Sequence, residues 1–235
     1  MKKILMVRAT KDYTPKDDRI ISKIQMWNDT FNIPYREVRR QIALIASDNY
    51  HLLGADAIYF YEENWCYESI KKLGDGWVLP IDDDDWLPNN IFDPISKVST
   101  ENKLCYWDVL ASRPITWFGK NNYRNCPNIY MKRRNPEEWV FSCGYAFSIK
   151  DANFKILSFH ESTKQFSGIL IPEIFSCYSA SPLSTWGMVS LVENQSDFIK
   201  QVENMQLIDV NKFLIPEFKN KYLKLKDLFS QIKVK

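Results

Sequence analysis

The stretch Trp77-Val78-Leu79-Pro80-Ile81-Asp82-Asp83-Asp84-Asp85-Trp86-Leu87-Pro88 decides how this chain is read. A strand-like apolar run ends at Ile81, four aspartates follow without a Gly or Ser spacer, and a bulky Trp86-Leu87 pair closes the segment. Four carboxylates this close repel one another, and burying part of the cluster forces protons onto it or requires a bound cation. A hard divalent metal is the simplest resolution. Ligands of α/β sheets bind beyond the carboxyl ends of strands, so the cluster is a candidate site for a metal and an anionic group that the metal bridges. An acidic run with polar flanks would be a solvated loop; the two apolar anchors argue for a held cluster instead.

Upstream, residues 3–9 read as a first strand, and Thr10-Lys11-Asp12-Tyr13-Thr14-Pro15 as a strand-to-helix loop. From Asp17, Ile20, Ile21, Ile24 and Trp27 recur at helical spacing, predicting a helix to about Thr30. A second helix is expected over Val38–Ala46 and a third over Ala55–Leu73, stopped by Gly74-Asp75-Gly76. Trp77–Ile81 is then a short buried strand, in which Pro80 cannot donate to a ladder. Downstream, Lys103–Leu110 and Trp139–Ile149 are rich in aromatic and β-branched residues and read as strands. Ser112–Pro136 between them is a long polar connection of the kind that carries function. A helix is expected from Asp197 to about Leu207.

The 235 residues, 45% of them hydrophobic, suffice for one sizeable core. The simplest partition is a domain over 1–210 with a basic, amphipathic, helical extension over 211–235. A net charge of +2 is too even for nucleic-acid binding across the surface. Five cysteines without a C-x-x-C pair disfavour zinc and a disulfide framework, and read as reduced thiols in a cytoplasm. The apolar start breaks at Arg8, which suits a strand better than a signal peptide. No stretch reaches the roughly 20 apolar residues of a membrane span.

Only seven glycines are present, and neither G-x-G-x-x-G nor G-x-x-x-x-G-K-[ST] occurs, so a glycine loop does not cradle phosphate here. An EF-hand is excluded because a loop starting at Asp82 lacks the sixth-position Gly and the Glu at position twelve. Metal and side-chain cations remain to neutralise any phosphate.

Leu79-Pro80-Ile81-Asp82-Asp83-Asp84-Asp85-Trp86 resembles the D-x-D segment of GT-A fold glycosyltransferases, in particular small rhamnosyltransferase-like ones. The similarity extends in order of elements over residues 3–190, and Cys143-Gly144-Tyr145-Ala146 falls where such enzymes carry an acceptor-side Gly segment. It implies an α/β fold of the GT-A, Rossmann-like type: a central mixed sheet flanked by helices, with the helical C-terminal extension. It also implies an inverting, nucleotide-sugar dependent enzyme of glycan biosynthesis, with UDP or dTDP in the donor and Mn²⁺ or Mg²⁺ as cofactor. Carried onto this chain, Asp82 would sit near the ribose. Asp84, with Asp83 or Asp85 as alternatives, would take the metal; Asp82 and Asp84 share a face if the strand continues.

Arg8 and Thr10, after the first strand, are the further nucleotide-side candidates. By the same resemblance the acceptor side would be Trp107, Asp108, Trp117, Trp139 and Tyr145, where sugar C–H faces could stack on the aromatic rings. Glu161 is the expected catalytic base, with Asp151 as competitor and His160 as its neighbour. No histidine follows His160 to complete a metal site, so water and phosphate oxygens would do so unless His160 is recruited.

The lysine-rich tail has two readings: a helix lying on an anionic membrane near a lipid-linked acceptor, or a helix packed on the domain with solvated lysines. Two other functions fit the same residues: metal-dependent phosphoryl or nucleotidyl transfer, and a glycan-binding module with a structural Ca²⁺.

Overall fold

The computed structural model describes residues 1–8, 18–61, 72–112, 115–116, 130–132, 142–151, 168–179, 206–207 and 215–235. Strand β1 (Lys2–Arg8) is followed by helices α1 (Asp18–Thr30) and α2 (Tyr35–Ser47). Helix α1 buries Ile20, Lys23, Trp27 and Thr30; α2 buries Tyr35, Val38, Arg39, Ile42 and Ala46. Both sets recur every three or four residues, so each helix turns one stripe inward. The Asn28 side chain accepts from the Tyr35 N–H at 2.9 Å, securing the start of α2 behind Pro34.

Next comes β2 (Ala57–Tyr61), where the sequence predicted a helix over Ala55–Leu73. The β-branched and aromatic run Ile58-Tyr59-Phe60-Tyr61 suits a pleated surface, and pairing with β1 stabilises it there. Strand β3 (Gly76–Asp82) follows, then α3 (Phe92–Ser96), β4 (Leu104–Ser112), β5 (Ile115–Thr116), β6 (Tyr130–Lys132) and β7 (Tyr145–Ser148). The chain continues through β8 (Ile169–Ser179), β9 (Gln206–Leu207) and α4 (Pro216–Ser230). Gln206–Leu207 pairs with β5 as a strand, correcting the helix expected to reach that point.

The fold is α/β, with a mixed sheet flanked by helices. The seven-stranded sheet has the order β2-β1-β3-β7-β4-β6, with β8 along the other edge of β4. Strands β2, β1 and β3 are mutually parallel, and β7 runs antiparallel to both β3 and β4. The pairing of β7 with β3 stops at Val78, so Pro80 lies beyond that ladder and costs it no hydrogen bond.

Alternate residues of β1 and β3 enter two cores: Leu5, Val7, Trp77, Leu79 and Ile81 on one face, Ile4, Met6 and Val78 on the other. Burial on both faces explains why these strands read as unbroken apolar runs.

A third cluster joins Trp27, Phe31 and Val38 to Trp86 and to Phe218, Tyr222, Leu225 and Phe229 of α4. The apolar side of the C-terminal helix is thus spent on the domain. No helix among the described residues is long and apolar enough to cross a membrane.

Candidate functional site

In the order β2-β1-β3, the chain leaves β1 toward one side for β2 and returns to the other side for β3. The neighbours β1 and β3 form a topological switch point, and open α/β sheets bind ligands beyond the carboxyl ends of such strands. Those ends are Arg8 and Asp82, which are paired in register. Arg8 Nη2 donates to Asp82 Oδ2 at 2.5 Å, and the Asp83 N–H donates to the Arg8 carbonyl at 3.1 Å.

From Asp82 the backbone turns, with the Asp85 N–H donating to the Asp82 carbonyl at 3.1 Å. Trp86 then exchanges two backbone hydrogen bonds with Cys177 on β8, at 2.9 and 2.8 Å. The acidic turn is therefore fastened upstream by β1 and downstream by β8, and Trp86 is buried beside α4. Asp83, Asp84 and Asp85 are all buried.

Arg39 of α2, itself 4% exposed, stands against this charge from the buried face of its helix. Its Nη2 donates to Asp83 Oδ1 at 2.9 Å and its Nη1 to Asp84 Oδ2 at 3.2 Å. Burial opposes the guanidinium charge, yet Asp84 and Asp83 together raise the Arg39 pKa above its ordinary value. Burial also pushes the Asp84 carboxyl up to about 6, opposed by Arg39 and reinforced by Asp83 and Asp82. Tyr35, one turn before Arg39, is pushed up to about 12 by burial, with Arg39 lowering it and Asp84 and Asp83 adding to the rise.

Two polar atoms at the site have no hydrogen-bond partner among the described residues: Asp82 Oδ1 and the Tyr50 hydroxyl. Tyr50 is 5% exposed, and burial together with all four aspartates holds its pKa well above the usual phenol value. It borders a groove of about 220 Å³ between α2 and the ends of β1 and β2, bounded also by Arg40, Leu44, Ser47, Phe60 and Asp83.

No three His, Cys, Asp or Glu side chains among the described residues converge as a ready-made cation cage. The donors do fit a cation of the Mg²⁺ kind, which takes one or two carboxylates and completes its shell with phosphate oxygens and water. Asp82 Oδ1 is an unpartnered carboxylate oxygen, and Asp84 commits only Oδ2 to Arg39.

Of the residues singled out in the sequence, Arg8 and Asp82–Asp85 come together here. Trp107 and Tyr145 do not: both are buried in the cores, and Trp107 Nε1 donates to the Cys143 carbonyl at 2.8 Å and to Ser176 Oγ at 3.1 Å. Neither ring offers a face to solvent for sugar stacking, which corrects that expectation for the two residues. Asp108 is likewise buried on β4. Asp151 ends a short 3-10 turn after β7. Thr10, Trp117, Trp139, His160 and Glu161 lie outside the described residues.

Arg39 and Tyr50 escaped the sequence reading. The available signal was Arg39 itself, a charged residue one turn beyond Tyr35 on the stripe that α2 buries. No protein-family model matches the chain, and no curated protein matches it by sequence.

Proposed function

We propose that the chain is a metal-dependent glycosyltransferase of the GT-A type, moving a sugar from a UDP or dTDP donor to a hydroxyl of a glycan or related acceptor. The observation that carries this reading is the position of the acidic turn, held at the carboxyl end of β3 beside Arg8 at the β1/β3 switch point. Asp82 and Asp84 would hold Mn²⁺ or Mg²⁺, with Asp85 as a further candidate. When bound, the cation would act as a Lewis acid for the nucleoside diphosphate leaving group.

The protein's own part is positional. The Arg8 side chain, 39% exposed, offers a guanidinium to an anionic ligand while aligning Asp82. The groove past Asp83 gives an amphipathic ligand apolar contact on Leu44 and Phe60 and polar contact with Tyr50 and Ser47. Glu161, with Asp151 as competitor, is proposed as the base that deprotonates the acceptor hydroxyl. A two-metal phosphoryl or nucleotidyl transferase needs carboxylates for two cations. Because Arg39 bonds two of the four aspartates, the single-cation reading is preferred.

Thermal unfolding with UDP, dTDP and their sugar conjugates, with and without Mn²⁺, tests the proposal. Metal-dependent stabilisation by one nucleotide type, lost in Asp84→Ala, is the expected result. Equal stabilisation with and without metal, or none with any nucleotide, would sink it. Slow donor hydrolysis that disappears in Asp84→Ala then separates an enzyme from a binding module.

A further inference from the structure

A second groove, of about 410 Å³, runs between the end of α2 and the exposed side of α4, and it shares no bordering residue with the groove at Tyr50. Its volume falls in the range of small-ligand sites, about 300–1,000 Å³. Asn49 borders it and is 6% exposed. Asn49 Nδ2 donates to the Leu87 carbonyl at 3.0 Å and to Asn89 Oδ1 at 2.8 Å, which fixes the amide and leaves Asn49 Oδ1 buried without a partner among the described residues. Asn90, in a left-handed backbone conformation with φ 56, donates its N–H to the Leu52 carbonyl at 2.8 Å and so holds Asn89 near Leu52. On α4, the side chains of Glu217 and Asn220 border the groove and make no hydrogen bond among the described residues, and Leu223 is exposed there.

We propose that this groove binds a neutral, polyhydroxylated ligand, a segment of glycan, at a site separate from the acidic turn. A buried amide oxygen normally takes a donor. A hydroxyl both donates and accepts, so a sugar can serve Asn49 Oδ1 with one group and take a hydrogen bond from the uncommitted Nδ2 of Asn89 with another. Asn220 adds a donor and an acceptor, Glu217 adds acceptors, and the exposed Leu52 and Leu223 give apolar contact to the C–H faces of a ring. Other ligand classes fit less well. Lys221 and Lys224 are both spent on Asp48, so among the described residues the groove keeps no cation for an anionic ligand, and Glu217 repels one. A wholly apolar ligand would leave the amides buried without partners. Because Asn49 and Asn89 are already fixed, binding pays little to order them. None of Asp82–Asp85, Arg8 or Arg39 borders this groove, so the proposal does not depend on the transferase reading.

The test is saturation-transfer NMR on the full chain with the methyl glycosides of glucose, galactose, mannose and N-acetylglucosamine, and with glucuronate and inorganic phosphate as anionic controls. No metal or nucleotide enters any arm, so the result stands apart from that of the donor titrations. At least one neutral glycoside is expected to bind, more tightly than either anion. Asn220→Ala and Leu223→Ala should each weaken that binding about three- to tenfold, the range for losing one contact of this kind. Both side chains are exposed, so the variants should unfold within a few degrees of the wild type by circular dichroism, which separates lost contacts from lost structure. Absence of binding by all four glycosides, binding that neither substitution weakens, or a preference for glucuronate or phosphate overturns the proposal.

Discussion

The Trp86 ring rests on Phe218, with centroids 5.9 Å apart and planes tilted by 52°. Trp86 terminates the acidic turn, and Phe218 lies in the first turn of α4, so the last helix braces the candidate site from behind. Both rings are almost wholly buried. Phe218→Ala should cost about 3–5 kcal/mol of stability, the range for truncating a buried aromatic ring. Urea unfolding measures the loss. Metal-dependent nucleotide binding should weaken along with it. A loss below about 1 kcal/mol would show that α4 is an appendage rather than part of the core.

The same helix grips the end of α2. Lys221, 1% exposed, donates to the carbonyls of Ile45 and Ala46 at 3.0 and 2.8 Å and to Asp48, which Lys224 also contacts. A cation at a helix C-terminus satisfies its last carbonyls and complements the dipole. Burial lowers the Lys221 pKa, with the Asp48 contact working against that shift. Burial alone would raise Asp48, but hydrogen bonds from Lys221 and Lys224 outweigh it and leave Asp48 lowered.

A carboxyl lowered on folding stabilises the protein above its unfolded value, here 3.8, and that contribution disappears as pH falls through the folded value. The stability gap between wild type and Asp48→Asn should accordingly hold steady from neutral pH to about pH 5, narrow below about pH 4, and close in stronger acid. A gap that instead widens on acidification would contradict the pairing.

Trp107 provides a check on the core assignment. Trp107→Phe keeps an aromatic ring but removes the N–H that reaches Cys143 and Ser176. The expected cost is about 1–3 kcal/mol, the penalty for a lost buried hydrogen bond. Binding of nucleotide, and of any acceptor sugar found, should be unchanged in the folded variant. A selective loss of acceptor affinity at full stability would return Trp107 to the acceptor side.

What could be read in advance followed from local pattern. The apolar runs of β1 and β3, the stripes of α1 and α2 and the aspartates at a strand end each carry their signal within about ten residues. What could not be read depends on distant partners. Ala57–Tyr61 becomes a strand only because β1 offers an edge to it. Strand β8 went unrecognised because its alternation breaks at Pro172-Glu173, where its register slips against Tyr106 and Asp108 of β4. The charge on the acidic turn was legible, but the part that Arg39 plays against it was not, because Arg39 comes in from 44 and 45 residues away.

Gly76 offers the sharpest test of the register that brings Arg8 to Asp82. It opens β3 opposite Lys2, and a Cβ built on it would lie 2.1 Å from the Lys2 carbonyl oxygen and 2.7 Å from the Lys2 nitrogen. Those are backbone atoms of a paired strand, so they cannot swing aside as a flexible side chain would. Gly74, two residues earlier, has φ +84 but open space around it. Alanine at Gly74 should cost only the left-handed penalty, about 1–2 kcal/mol. Alanine at Gly76 should cost more, because β1 and β3 must separate where their ladder begins; overpacking of this kind typically costs about 1–3 kcal/mol and more where backbone must move. Since that ladder ends at Arg8 and Asp82, Gly76→Ala should also weaken metal-dependent nucleotide binding, whereas Gly74→Ala should leave it intact. Urea midpoints and nucleotide titrations on the two variants measure both effects. If Gly76→Ala proves the milder substitution, the β1–β3 spacing described here is incorrect.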